Sequence, residues 1–324
     1  MFTDLTQEEL EVYDPQEVKQ PADFEAFWTE TLRQARQFPT QMELERAHTP
    51  IEAIEYYDVT FPGFGGDPIK GWLAGKPGFT KSSGEPIVVE YLGYGGGRGI
   101  PGEMPFWPMS GYVHFIMDTR GQGGDWGSGG DTPDPHPVLP HALGLFTDGI
   151  EDKSTYYYRR LITDAMRAVD VVLSLPFVDK DRIFCAGRSQ GGGLASIVSA
   201  AHPAVRAGMP DVAFLGNLMH GVTIADKNPY RELERYLRVK PDKVALVTEV
   251  LSYFDAVNFA RSAKAPAYFS VSLMDEYVPA SCVYSIFNVW ANENKEIVVY
   301  PFAKHEGVGL HHLLKQHRWL EQFS

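Results

Sequence analysis

Cysteine is scarce: the 324 residues include only Cys185 and Cys282, too few for a disulfide scaffold. No uninterrupted apolar run approaches the roughly 18 residues that a membrane helix needs. The opening stretch, MFTDLTQEEL, is acidic and has neither the basic nor the apolar region of a secretory signal, so a cytoplasmic protein is expected. Basic residues are outnumbered. Lys and Arg total 29 against 42 Asp and Glu, a formal net charge of −13. That balance argues against nucleic acid or an anionic membrane surface as a partner. There is no internal repeat and no low-complexity tail. What is present is an ordinary globular composition, 44% hydrophobic and 22% charged, with one oddity: 31 glycines, many of them clustered.

The pattern along the chain predicts one α/β domain over residues 1–324. Residues 21–38 read as an amphipathic helix, with Phe24, Phe27, Trp28 and Leu32 at helical spacing. Ile54–Thr60 and Ile69–Ala74 read as a hairpin, so residues 1–80 form an N-terminal extension of helix and hairpin. From Pro86 onward, short apolar runs alternate with helical segments. The expected strands are Ile87–Tyr91, Tyr112–Met117, Ile183–Ala186, Val205–Met209, Ala267–Leu273 and Glu296–Tyr300. Between them lie a long helix whose apolar face runs from Tyr157 to Val172, a helix over Gly191–Ala201, another over Ser281–Trp290, and a closing helix from about Leu310. Such alternation means βαβ units and a mostly parallel sheet. Residues 211–265 break the rhythm with helical pieces and read as a small insertion over the sheet.

The strongest chemical signal is Gly187-Arg188-Ser189-Gln190-Gly191. It follows an apolar strand and opens a helix, the setting in which G-x-S-x-G places a serine on a tight turn above the strand ends. The amide of Gln190, at the start of the helix, is placed for an oxyanion. A serine hydroxyl needs a base to take its proton, and in this architecture the acid and then the histidine follow on later loops. Asp275 comes directly after the strand ending at Leu273. His305 comes after the last strand and before the last helix. Asp255 is the second candidate for the acid, within a helical-looking stretch. The other oxyanion amide belongs to the glycine-rich loop after Tyr91, with Tyr94 best placed.

Gly97-Arg98-Gly99-Ile100-Pro101-Gly102 also matches G-x-G-x-x-G, with Asp118 at a suitable distance for a dinucleotide fold. Pro101, Pro105 and Pro108 prevent the uninterrupted helix that would hold a pyrophosphate. No dinucleotide is therefore expected there, and a serine nucleophile with its base requires no metal or organic cofactor. Arg120, in the polar segment Asp118–Trp126, is expected to lock neighbouring loops through charge-assisted hydrogen bonds.

Together, RGQ at Arg120–Gln122, GxSQG at Gly187–Gly191 and His305-Glu306 resemble carbohydrate esterase family 7, the acetyl xylan esterases and cephalosporin C deacetylases. The likeness extends over DFEAFW, YDVTFPGFGG, GYGGGRG, MDTRGQGG, TYYYRRLITDAMRAV and LSYFDAVNFA, nearly the whole chain. It implies an α/β-hydrolase fold with helices on both faces of the sheet. It implies Ser189, Asp275 and His305 as a triad, Tyr94 and Gln190 as oxyanion donors, and Arg120 and Gln122 in supporting places. It further implies removal of acetyl groups from small esters such as xylo-oligosaccharides and cephalosporin C, and a homohexamer. One residue departs from the family pattern: the position before the serine is usually small, and here it is Arg188, which is expected to pair with a nearby acid rather than touch substrate. A serine peptidase related to the prolyl oligopeptidases, or a non-catalytic saccharide-binding homologue, would share this fold.

Overall fold

The computed structural model describes residues 4–138 and 143–323. Among them, nine strands form one sheet: β1 (Glu43–Ala47), β2 (Glu55–Pro62), β3 (Pro68–Gly75), β4 (Glu85–Tyr91), β5 (Val113–Met117), β6 (Val178–Arg188), β7 (Ala207–Asp211), β8 (Ala267–Ser272) and β9 (Lys295–Tyr300). Their spatial order is β1-β2-β3-β5-β4-β6-β7-β8-β9. The first three and the β3–β5 pair are antiparallel. From β5 to β9 every neighbouring pair is parallel. The expected hairpin is β2 and β3, with Tyr57 opposite Leu73.

The helices are α1 (Gln7–Glu11), α2 (Phe24–Ala35), α3 (Phe106–Met109), α4 (Tyr157–Val172), α5 (Gln190–Ala201), α6 (Leu218–Ile224), α7 (Tyr230–Val239), α8 (Val244–Ser252), α9 (Ala256–Ala260), α10 (Ala280–Val289) and α11 (Leu310–Leu320). They cover both faces of the sheet, and the strand sequences show why. In β4, Ile87, Val89 and Tyr91 face a large core shared with α2, α4, α5, α9 and α10. Val88 faces the opposite side, among Trp107 of α3 and Trp319 and Leu320 of α11. In β6, Ile183 and Cys185 divide from Phe184 and Ala186 in the same way. Strands buried on both faces lose the apolar–polar alternation and become continuous apolar runs.

The short helices α1 and α3 have no counterpart in the sequence reading, and β6 starts at Val178 rather than Ile183; β1 and α4 also differ from that reading. β1 (ELERA) carries three charged residues and is exposed up to Ala47. It lies at the sheet edge, where charge discourages further pairing and apolar periodicity is not required. The spacing in α4 predicts one buried apolar face, yet every residue of it except Arg159 and Asp170 is buried. Its second face is charged and closed by ion pairs to neighbouring loops. After β7 the chain makes α6, α7 and α8, and then α9 returns to pack on α5 and α10. Among the described residues no helix is long and apolar enough to cross a membrane.

Candidate active site

β6 delivers its last residues to a tight turn that needs glycine two positions before and two positions after Ser189. Ser189, the N-cap of α5, has φ 57° and ψ −119°, a conformation that costs a non-glycine residue on the order of 1–3 kcal/mol. The surroundings hold it there. Its N–H donates to the Asp211 carbonyl at 3.0 Å, and its carbonyl accepts from Gly193 and Phe214, both at 2.9 Å. A Cβ on Gly187 would overlap the Gly191 carbonyl, and one on Gly191 would overlap the Tyr91 carbonyl. Strand and helix can approach this closely only because both positions lack side chains.

Asp275 and His305, placed after β8 and β9, meet. His305 Nδ1 lies 2.8 Å from Asp275 Oδ2. The other carboxylate oxygen accepts the N–H groups of Tyr277 at 2.8 Å and Val278 at 3.0 Å, which fixes the carboxylate's direction. Asp275 is 1% exposed, so its charge acts on the imidazole in a dry setting. With Nδ1 engaged as donor, Nε2 is the nitrogen left to accept a proton. The Tyr277 ring packs 5.0 Å from the imidazole. Asp255, the other candidate acid, is committed elsewhere. It caps α9 and accepts N–H groups from Asn217, Leu218 and Val257. Burial pushes its pKa from 3.8 up to about 6. The folded state therefore keeps a proton that the unfolded chain releases, so this group's contribution to stability falls as pH rises from about 4 to about 6.

The glycine-rich loop after β4 lies beside the serine: a Cβ on Gly93 would be 3.8 Å from Ser189 Cβ. Neither the Tyr94 N–H nor the Gln190 N–H has an acceptor among the described residues. The two segments are tied together by their neighbours. Gln122 Oε1 accepts from Gly95 N–H at 2.7 Å, and Gln122 Nε2 donates to Gln190 Oε1 at 3.0 Å. Gln190 Nε2 in turn donates to the Leu92 carbonyl at 3.2 Å. On the outer side, Trp126 donates its indole N–H to the Tyr94 carbonyl at 2.7 Å. The Tyr94 hydroxyl donates to Glu232 on α7, whose carboxyl burial holds above the usual range.

Arg120 does not reach this cleft. Wholly buried, it bonds Asp164 through Nε at 2.5 Å and Nη2 at 2.8 Å, and Asp67 and Asp134 through Nη1 at 3.0 and 3.2 Å. Arg160 continues the network to Asp134 and Asp148. Asp164 and Arg160 belong to α4, so the charged face of that helix is clamped to the Asp67 and Arg120 loops. Burial holds Asp164 above its ordinary pKa even so. Against burial, Arg160 and Arg120 hold Asp134 below its own.

The G-x-G-x-x-G segment is filled by the protein itself. Gly97 abuts the backbone of Gly129 and Gly130. Arg98 reaches inward to Asp58 and Asp131 across the face of Trp72. The Asp118 carboxylate is occupied by the N–H groups of Arg98 and Asp131. The only helix after this segment and before β5 is the four-residue α3, in keeping with the prolines there.

Arg188 pairs with an acid, as expected: Nε lies 2.8 Å from Asp211 Oδ2 at the end of β7. Asp211, Glu232 and the placement of Trp126 escape a reading of the sequence. Asp211 follows a proline at a strand end, and Glu232 sits among other charges in PYRELERYLRV. Neither has a local signal, and their partners are 23 and 138 residues away.

The chain as a whole is similar to known proteins. The solved acetyl xylan esterase from Paenibacillus sp. R4 is similar with a TM-score of 0.91 and 32% identity, covering 99% of this chain and 100% of that one. Acetyl xylan esterase 1 from Thermoanaerobacterium sp. JW/SL YS485 gives 0.88 and 28%, over 99% and 100%. The acetyl esterase Axe7A of Xylanibacter ruminicola is 26% identical over 294 residues, 89% of this chain. This chain spans 64% of the length of Axe7A. The acetyl xylan esterase (AXE1) family model matches residues 1–323, and the chain belongs to that family.

Proposed function

We propose that the chain is a serine carboxylesterase that removes acetyl groups from small acetylated saccharides and related esters, cephalosporin C included. The observation that carries the proposal is the Asp275–His305 pair after β8 and β9, at the same carboxyl edge of the parallel strands at which a strained Ser189 follows β6. Ser189 Oγ attacks the acetyl carbonyl carbon as His305 Nε2 takes its proton. Asp275 holds the imidazole in the needed tautomer and stabilises its charged form. The carbonyl oxygen becomes an oxyanion, and the N–H groups of Tyr94 and Gln190 are free to bind it, each donor contributing on the order of 3 kcal/mol. The tetrahedral carbon then expels the sugar alkoxide, which takes the proton from His305 and leaves as the alcohol. Water attacks the acetyl-serine by the same base, releasing acetate and restoring Ser189.

A fluorophosphonate probe tests the nucleophile, and a series of p-nitrophenyl esters tests the acyl group. The expected result is stoichiometric labelling at Ser189 and acetate released at least tenfold faster than butyrate. An unlabelled protein would leave only a binding role. Cleavage of a proline anilide without cleavage of acetate esters would move the chain to the peptidases.

A further inference from the structure

Arg188 immediately precedes the nucleophile, and its side chain connects elements that the triad itself does not. Nε bonds Asp211, whose other carboxylate oxygen accepts from Ser270 Oγ on β8. The far nitrogen Nη2 lies against Gly307, so closely that a Cβ there would overlap it. Gly307 has φ 61° and stands two residues beyond His305. From 304 to 309, the backbone hydrogen bonds are local among the described residues. Gly307 N–H donates to the Lys304 carbonyl, and the next donors, His311 and His312, return to Val308 and Gly309. Beyond the Asp275 bond and the Tyr277 ring, side-chain support comes from Lys304 with Glu276 at 3.6 Å, both well exposed. The Met274 N–H ties the start of this loop to the segment after β8 by donating to the Ala303 carbonyl at 3.1 Å; beyond that, the part that carries the base has few tethers to the body of the domain. Arg188, itself anchored by Asp211, provides one.

Resting on the esterase reading, we propose that Arg188 is a positioning residue: its guanidinium seats the loop that carries His305 above Ser189. The role needs both ends of a planar guanidinium, one nitrogen for Asp211 and another against Gly307. An ammonium can meet only one of these. The Arg188–Asp211 pair is partly open to solvent, at 37% and 15% exposure, and such a pair contributes little to folding. A misplaced base, in contrast, lowers the rate by about 10–100-fold.

Steady-state hydrolysis of p-nitrophenyl acetate, with active sites counted by fluorophosphonate, tests the role in Arg188→Ala, Arg188→Lys, Asp211→Ala and the Arg188→Ala/Asp211→Ala double variant. We expect Arg188→Ala to lower kcat at least tenfold with KM within twofold and the number of reactive serines unchanged. Arg188→Lys should recover part of the loss. The double variant should be no slower than Arg188→Ala, because both substitutions remove one support. Turnover within threefold of the wild type overturns the proposal. A rise in KM at constant kcat would instead place the guanidinium on substrate, and a fall in reactive serines matching the fall in kcat would reduce it to a folding role. Either result overturns the proposal. A wild-type chain that neither hydrolyses the ester nor takes the probe overturns the esterase reading as well.

Discussion

Ser189→Ala is expected to lower kcat for p-nitrophenyl acetate by on the order of 10⁵-fold or more, while the unfolding transition stays within a degree or two of the wild type. Alanine keeps the backbone bonds that hold the turn, from Ser189 N–H to Asp211 and from Gly193 and Phe214 to the Ser189 carbonyl. The loss is therefore chemical. On the proposed mechanism, no acetyl-enzyme forms without Oγ, and only the N–H groups of Tyr94 and Gln190 remain to assist attack by water. His305→Ala should cost a similar factor, since Ser189 then has no group to take its proton. The double variant should be about as slow as either single one, because the two groups act as one unit. Losses that multiply would show independent roles and refute the triad. Active-site titration beside circular dichroism separates this outcome from misfolding.

The second large effect is on stability. Replacing Arg120 by methionine keeps most of the volume and removes the charge, leaving Asp164, Asp67 and Asp134 without their shared cation. Asp164 is 0% exposed at its side chain, so its carboxylate cannot turn to water. Removing one partner of such a buried cluster costs about 3–5 kcal/mol, which a urea midpoint at pH 7 should show. The pH dependence has a definite sign. An orphaned buried carboxylate has a raised folded-state pKa, so its charged form penalises the fold above that pKa and the penalty fades as it takes up a proton. The deficit of Arg120→Met should therefore shrink between pH 7 and pH 5. A deficit below about 1 kcal/mol, the range of an exposed ion pair, or one that grows on acidification, would refute the structural role given to this cluster.

How much of this is legible from residues alone depends on where the partners lie. β4, β6 and β8 are legible because burial on both faces leaves each a continuous apolar run, Ile87–Val89, Ile183–Ala186 and Ala267–Phe269; the charged, partly exposed residues 179–182 of β6 carry no such signal. The residues of the proposed triad are legible because each stands just after a strand or on its turn, so chain order alone points to Asp275 and His305. The Arg120 cluster is not. Asp164 and Arg160 occupy the polar face of α4 and look solvated until the loops of Asp67 and Asp134 close over them. β1 carries no signal, since an edge strand has little to bury. The Tyr94–Glu232 and Arg188–Asp211 contacts depend on side chains brought together by the finished fold, which periodicity cannot express.

The indole that caps the Tyr94 carbonyl has a further consequence, for spectroscopy. Of the six tryptophans, Trp28, Trp72, Trp107, Trp290 and Trp319 are buried, whereas Trp126 is 52% exposed. Iodide in solution should therefore quench one emitter and leave five dark to it. That emitter stands at the serine, so occupation of the cleft by a phosphonylated Ser189 should screen it from iodide and lower the quenching constant at least twofold. An unchanged constant would mean that the indole looks away from the cleft. A lowered constant would make Trp126 an optical label for occupation of the cleft in the wild-type protein, without an attached dye.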